Sequence, residues 1–274
     1  PYVSNQGIGY LTSEGTSNYH SLQVEFRQKN FHGANFTANY TFAKNQGVRP
    51  IKGGDSTNFK LVTMRNMRLS YSPTDSDVRQ TLNILGTYDL PFGKGKTFST
   101  NNKVVNAVIG DWTWGTITTF KTGLPFQLTG GNTTYNDYAD GGIVMSGVTL
   151  KQLRKSVGVY NIPGRSSKYI IDPKYLSTTY LKPNTTPGTL GARPWLWGPH
   201  SFNTDMSMAK VIPLKAGFKF SLQGEFLNAT NHHSWGTSTV DSAVNDMGSS
   251  FGRVSGQSGA SDGRVVEVRA NIEF

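Results

Sequence analysis

The chain has 274 residues, of which 36% are hydrophobic and 16% charged, both below the roughly 45–50% and about 25% of an ordinary soluble domain. Cysteine is absent, which excludes a disulfide framework and any zinc–thiolate site. The formal charge of +10 would suit nucleic acid, but Lys and Arg are scattered through alternating segments rather than clustered, so no nucleic-acid partner is expected.

The 31 glycines, together with Ser, Thr and Asn, take the place of the missing apolar residues. Gly and Asn serve turns, while Thr and aromatics serve strands. Aromatic residues reach 12%, which argues against low-complexity disorder. No run approaches the about 18 apolar residues of a membrane helix. Pro1 opens without a signal peptide, and the expectation is a piece of a longer protein.

Seven segments alternate with period 2 at about the 9–11 residues that a membrane β-strand needs. In the first, Leu22, Val24 and Phe26 oppose Ser21, Gln23, Glu25 and Arg27. The second sets Phe36, Ala38, Tyr40 and Phe42 against Asn35, Thr37, Asn39 and Thr41. The third sets Leu82, Ile84, Tyr88 and Leu90 against Arg79, Thr81, Asn83, Thr87 and Asp89.

The fourth, "DWTWGTITTF", puts Trp112, Trp114 and Phe120 on one face. The fifth, "FNTDMSMAK", separates Phe202, Met206 and Met208 from Asn203, Asp205 and Ser207. In the sixth, Phe218, Phe220, Leu222 and Phe226 oppose Lys219, Ser221, Gln223 and Glu225. The seventh, "GRVVEVRANIEF", places Val266, Val268, Ala270, Ile272 and Phe274 on one face and Glu267, Arg269, Asn271 and Glu273 on the other.

The connections alternate in length. "QKNFHGA" and "VIPLKAG" are short turns, and "PFGKGKTFSTNNKVVNAVIG" is intermediate. The links after the second, fourth and sixth segments are long, the fourth spanning about 121–200. Loops of that size are uncommon inside compact domains. Outer-membrane barrels, however, combine short periplasmic turns with long extracellular loops. The expected fold is therefore an all-β, antiparallel transmembrane barrel. The C-terminus would be periplasmic and the long loops extracellular, in a bacterial outer membrane.

A soluble β-sandwich or propeller also alternates, but its loops are usually short. Seven is an odd number, whereas single-chain bacterial barrels have even counts. Unpaired strand edges cannot face lipid, so further strands are expected to complete the wall. Leu22, Val24, Phe36, Ile84, Leu222 and Val268 are expected to face lipid. Glu25, Arg79, Gln223, Glu225 and Arg269 are expected to face the lumen or a plug.

Five stretches carry a family resemblance. "SNYHSLQVEFRQKNFHGANFTANYTFAKN" resembles a Tyr-x-x-Leu-Gln strand, a Gly turn and a Tyr-Thr-x-x-Lys strand. "DVRQTLNILGTYDLPFGKGK" resembles a strand ending in Tyr-Asp-Leu-Pro-Phe-Gly, and "GDWTWGTITTFKTGLPF" a Trp strand ending in Gly-x-Pro-Phe. "FNTDMSMAKVIPLKAGFKFSLQGEFLNATNHHSWG" and "FGRVSG…RVVEVRANIEF" resemble the Asp, Glu-x-x-Asn and last strands.

In this order they resemble the C-terminal barrel portion of an Oar-like TonB-dependent outer-membrane receptor, of the kind with a carboxypeptidase-regulatory-like domain. The resemblance covers nearly the whole chain except about 128–198. It implies that residues 1–274 are a segment of one barrel domain of about 22 strands around an internal plug. It also implies energisation through TonB. The plug and N-terminal domains have no counterpart in this chain. By the same analogy, Val268, Ala270, Ile272 and the terminal Phe274 form a signal read by the barrel-assembly machinery. The implied partners are thus outer-membrane lipid, the missing N-terminal strands and plug, that machinery and, indirectly, the TonB complex.

No catalytic constellation is present, and neither an enzyme nor a cofactor is expected. His232 and His233 are adjacent, so in an extended chain they diverge and make a poor metal pair. "GGDS" lacks the strand–turn–helix setting of a nucleophile elbow, and "GRVSGQSGASDG" lacks a phosphate-loop Lys-Ser/Thr.

Recognition is expected on the long loop. There "YNDYADGG" and "GARPWLWGPH" offer Tyr135, Tyr138, Arg193, Trp195 and Trp197 to a sugar or hydrophobic ligand. The plainer reading of the tryptophans is packing of the loop's own small core. Thr149, as N-cap, with Leu150, Leu153 and Val157 predicts a short helix over 149–157. Lys121 and Ser201 should lie close together. Apart from transport, a surface or assembly protein that pairs its strands with other chains fits the pattern. A carbohydrate-active enzyme fits it poorly, since no carboxylate pair stands out.

Overall fold

Hydrophobic side chains of this protein gather in two places: on one face of a large sheet, and inside a folded cap at one end of it. The computed structural model describes residues 15–48, 51–52, 59–60, 62–63, 65–99, 102–130, 142–214, 217–236, 240–248, 250–254 and 263–273. Phe274, Tyr135 and Tyr138 lie outside the described residues.

All seven alternating segments form strands: β1 (Ser17–Phe31), β2 (Ala34–Val48), β3 (Gln80–Asp89), β4 (Trp112–Lys121), β5 (Ser201–Pro213), β6 (Lys219–Leu227) and β7 (Val265–Glu273). Each pairs antiparallel with the next in chain order. Among the described residues β1 pairs only with β2 and β7 only with β6. The sheet is thus an open wall of antiparallel strands. β1 and β2, with 15 residues each, run longer than the about 9–11 residues that cross a bilayer.

Residues directly opposite one another in an antiparallel pair share a face, so the register sorts the wall. Val24 opposes Tyr40 and Tyr40 opposes Leu82. Leu82 opposes Phe120, and Phe120 opposes Phe202. Further along, Leu222 opposes Ala270 and Gly224 opposes Val268. Leu22, Val24, Phe36, Ile84, Leu222 and Val268 therefore fall on one apolar face, as the alternation requires. Glu25, Gln223, Glu225 and Arg269 fall on the other face, and so does Arg79, one residue ahead of β3. Leu22, Val24, Phe26 and Val268 are all more than half exposed. A soluble sheet would cover such a face.

One end of the wall carries the short links. Between β1 and β2, His32 (φ 48°) and Gly33 (φ 86°) both adopt left-handed backbone, the geometry of a two-residue hairpin turn with the right twist. A Cβ at Gly33 would come within 3.2 Å of the Asp89 carbonyl. The β3–β4 link contains a helix that the alternation did not announce, α1 (Lys103–Ile109), whose N-cap Asn102 accepts from the Val104 and Val105 amides. The three long links leave from the opposite end.

The second helix is α2 (Leu150–Lys155). Thr149 caps it in a reciprocal capping box with Gln152, as the sequence predicts. Val157 corrects the predicted end. The Ser156 hydroxyl donates to the Leu153 carbonyl at 2.7 Å, closing the last turn. Val157–Asn161 then runs as a strand against Lys168–Ile171. A β-branched residue next to glycine is a poor helix former and gains more from that pairing.

Candidate functional site

The cap is built from two separate links. Strand Lys168–Ile171 pairs on one side with Val157–Asn161, from the β4–β5 link, and on the other with Arg253–Val254, from the β6–β7 link. Thr129, in the first link, bridges to Ala243 in the second. Leu128, Leu153, Ile170, Ile171, Leu181, Leu196 and Val244 have essentially no exposed surface and form one core with Phe251 and Val254. Within the cap, Tyr160 donates from its hydroxyl to the Ser156 carbonyl at 3.0 Å. Burial, and then the Asp172 carboxylate, hold its phenol above the usual tyrosine range.

The cap meets the wall at the rim, where Lys121 and Ser201 are direct cross-strand partners, as expected. The Thr122 hydroxyl oxygen accepts from the Arg79 and Gln80 amides at 3.1 and 3.0 Å. Asp77, 1% exposed, accepts from the Asn45 amide at 2.7 Å and pairs with the Arg79 guanidinium at 2.8 Å. A charge this buried is tolerated because both carboxylate oxygens have partners.

Trp195–Trp197 forms a short strand against Pro125–Gln127. Leu196 between them is fully buried in the cap core, whereas both tryptophans are half-buried on the other side of the strand. Successive strand residues point to opposite faces, so the core residue of this stretch is the leucine. Trp197 lies between two guanidinium groups, Arg79 at 4.9 Å and Arg154 of α2 at 5.1 Å from the ring centroid. Arg154 also donates to the Trp195 carbonyl at 3.1 Å. The indole Nε1 of Trp197 is buried and has no hydrogen-bond partner among the described residues. The aromatic strand therefore lies against the helix, and through Arg79 against the wall.

Of the five candidate ligand-binding residues, Trp195 and Trp197 share one face of one strand, and Arg193 is half-buried just before it. Asp77, Arg79 and Arg154 complete the rim cluster and were not singled out as a group. Asp77 and Arg79 are two apart in extended chain, so their pairing is readable locally. Their meeting with Trp197 is not. His232 lies over His200, with ring centroids 6.0 Å apart, and against Phe202 at 5.8 Å. Among the described residues no three His, Asp or Glu side chains come together to hold a metal ion.

The polar face of the wall carries an open groove of about 550 Å³ lined by Arg27, Lys29, Thr37, Leu85, Ile117 and Ser207 among others. Ion pairs continue along that face, with Arg269 3.6 Å from Glu225 and 2.8 Å from Glu267. Leu85 and Ile117 are cross-strand partners there and are exposed. They are apolar side chains set among Thr, Arg and Lys in the middle of that face.

A family model described as an outer membrane beta barrel domain matches residues 1–267. No curated protein matches the chain, and no solved structure does.

Proposed function

Because the chain belongs to the outer membrane beta barrel domain family, and so forms barrel wall in an outer membrane, we propose that it is part of an Oar-like TonB-dependent receptor. In this reading it supplies one sector of the wall and much of the extracellular cap for passage of a substrate. The observation that carries the proposal is the asymmetry of the two ends: short turns at one, and at the other a cap with its own apolar core. Large extracellular structures on short-turned strands are the pattern of outer-membrane barrels. The polar face, with Glu25, Glu225, Arg269 and the groove beside Arg27, would line the lumen and meet a plug. Barrel strands and a plug from outside this chain would complete the transporter. The rim cluster of Arg79, Arg154, Trp195 and Trp197, with Arg193, would serve substrate recognition, and Tyr135 and Tyr138 of the same link would contribute to it. Val268, Ala270, Ile272 and Phe274 would serve as the assembly signal.

Protease added to intact cells tests the orientation. It should cut within 121–200 and spare the turns at His32–Gly33 and 213–218, which should be cut only after the outer membrane is opened. Cleavage at those turns from outside would reverse the topology. Dependence on TonB is checked by whether uptake or phage sensitivity conferred by the full protein disappears in a strain lacking TonB.

A further inference from the structure

Helix α1 is inside-out. At about 100° per residue, Val104, Val105, Val108 and Ile109 share one side of it, with Asn106 opposite. The valine side is the exposed one, with Val104 73% and Val108 64% accessible, and Ile109 and Val105 exposed as well. Asn106 is the least exposed residue in the helix among those whose side chains are described. An amphipathic helix on a soluble surface does the reverse, turning its apolar stripe to the core.

The position of the helix says what covers the stripe. Trp112 and Lys210 are cross-strand partners and sit on the apolar face, in line with Leu222 and Ala270. Both reach α1. The Trp112 indole donates to the Val108 carbonyl at 2.9 Å. The Lys210 ammonium donates to the Ala107 and Gly110 carbonyls at 2.6 and 2.5 Å and lies 5.7 Å from the Trp112 ring. The helix is thus tethered on the side of the wall that faces lipid, at the short-turn end. Its stripe continues the apolar face.

The rest of the link has the same character. Phe92 and Phe98 stack with centroids 5.4 Å apart, and both are exposed. Lys94 is exposed between them, and Lys96 is held by the Leu90 carbonyl at 3.1 Å. Aromatic rings and lysines beside an apolar helical stripe are the composition that settles at a membrane–water boundary. The turn at Phe92–Gly93 also packs directly against the start of β4. A Cβ at Gly93 would lie 2.6 Å from the Asp111 carboxylate, and the Asp111 amide donates to the Phe92 carbonyl at 3.0 Å.

We propose that α1, with Phe92 and Phe98, is an interfacial anchor that inserts Val104, Val105, Val108 and Ile109 into an anionic phospholipid leaflet at the short-turn end of the wall. Lys94 lies in the headgroup layer. The anchor fixes the height of the barrel in the bilayer at that edge and covers a sector of the rim that the strands alone leave exposed. This rests on the proposed reading, with the wall facing lipid and the short-turn end on the periplasmic side, where the leaflet is phospholipid.

This chain has no cysteine, so, with any cysteine elsewhere in the full protein replaced by serine, single thiols can be introduced at Val108, at Val24 in the middle of β1, and at Leu190, exposed in the cap. The full protein carrying each variant is spin-labelled and placed in nanodiscs of anionic or zwitterionic phospholipid. Collision of the label with oxygen and with a water-soluble nickel chelate is then measured. The Val108→Cys label should favour oxygen as the Val24→Cys label does, and should sit shallower when the lipid is zwitterionic. Nickel access equal to that of the Leu190→Cys label overturns the anchor. Protection from both reagents means a protein covers the stripe and overturns it too. Equal depth in both lipids removes the headgroup component. If the Val24→Cys label also sees nickel freely, the wall reading itself fails, which separates the two failures.

Discussion

Val24 in the wall and Leu196 in the cap are both aliphatic residues at the apolar beat of a β alternation, yet Val24 is 51% exposed and Leu196 fully buried. The cap is an ordinary small fold, with aliphatic side chains packed inward from two links and polar groups outward. The wall presents its aliphatic side chains outward and joins Glu, Arg, Gln and Asn on the opposite face. The same period-2 pattern therefore serves two solvents. In the cap the apolar phase is the protein's own interior, and in the wall it is the bilayer, where every backbone group must already be paired. Membership of the outer membrane beta barrel domain family fits this division.

The sharpest way to break the comparison is to empty the cap core. Leu153→Ala or Leu196→Ala should cost about 2–5 kcal/mol of cap stability, by lost burial and the cavity left behind. The cap should then be cut early in limited proteolysis, while the wall keeps its heat-dependent shift in electrophoretic mobility. Loss of both together would show that cap and wall fold as one unit.

The wall should respond to charge instead. Val268→Arg, in the middle of β7, should cost about 2–4 kcal/mol in refolding titrations into phospholipid vesicles, whereas Ser221→Arg on the polar face should cost much less. The reverse ranking would exchange lipid and lumen faces.

The rim joins the two regions, and its effects should be smaller. Asp77→Ala strands the Asn45 amide and releases Arg79, which should cost about 1–3 kcal/mol and loosen the cap from the wall, read as faster amide exchange at Asn45. Arg154→Ala removes one of the two guanidiniums over Trp197 and should cost about 0.5–1 kcal/mol, seen as a small loss in thermal midpoint of the cap.

The smallest effect is one of pH. The folded cap favours the neutral phenol of Tyr160, whose titration lies above its ordinary 10.0. That contribution is intact below pH 10 and is lost as pH rises through the raised value. Tyr160→Phe should therefore flatten the alkaline end of the cap's stability profile, while the lost hydrogen bond to the Ser156 carbonyl lowers the neutral region by about 0.5–1.5 kcal/mol.

Much of the wall was legible in the residues themselves. Alternation from Leu22 to Phe26, or from Val266 to Ile272, assigns each strand and both of its faces without knowledge of any neighbour, because side chains in extended chain change sides at every residue. Unequal link lengths paired Lys121 with Ser201. The capping box at Thr149 was equally local. Helix α1 was missed although Asn102 and the Val104–Val108 spacing announce it, because its apolar stripe is short and the segment reads first as a turn-rich link.

What only the tertiary structure decided is where long-range partners meet. Val157 continues as a strand because Ile171 is there to pair with it, and the strand of Ile171 pairs on its other side with Arg253–Val254 from a link far along the chain. Trp197 meets Arg79 across the rim although nothing near either residue announces the other. Periodicity encodes which face a side chain takes, since that is a property of the local backbone. It does not encode which other segment supplies the opposing surface. That choice depends on loop closure and shared burial, which are settled only when the whole cap has formed.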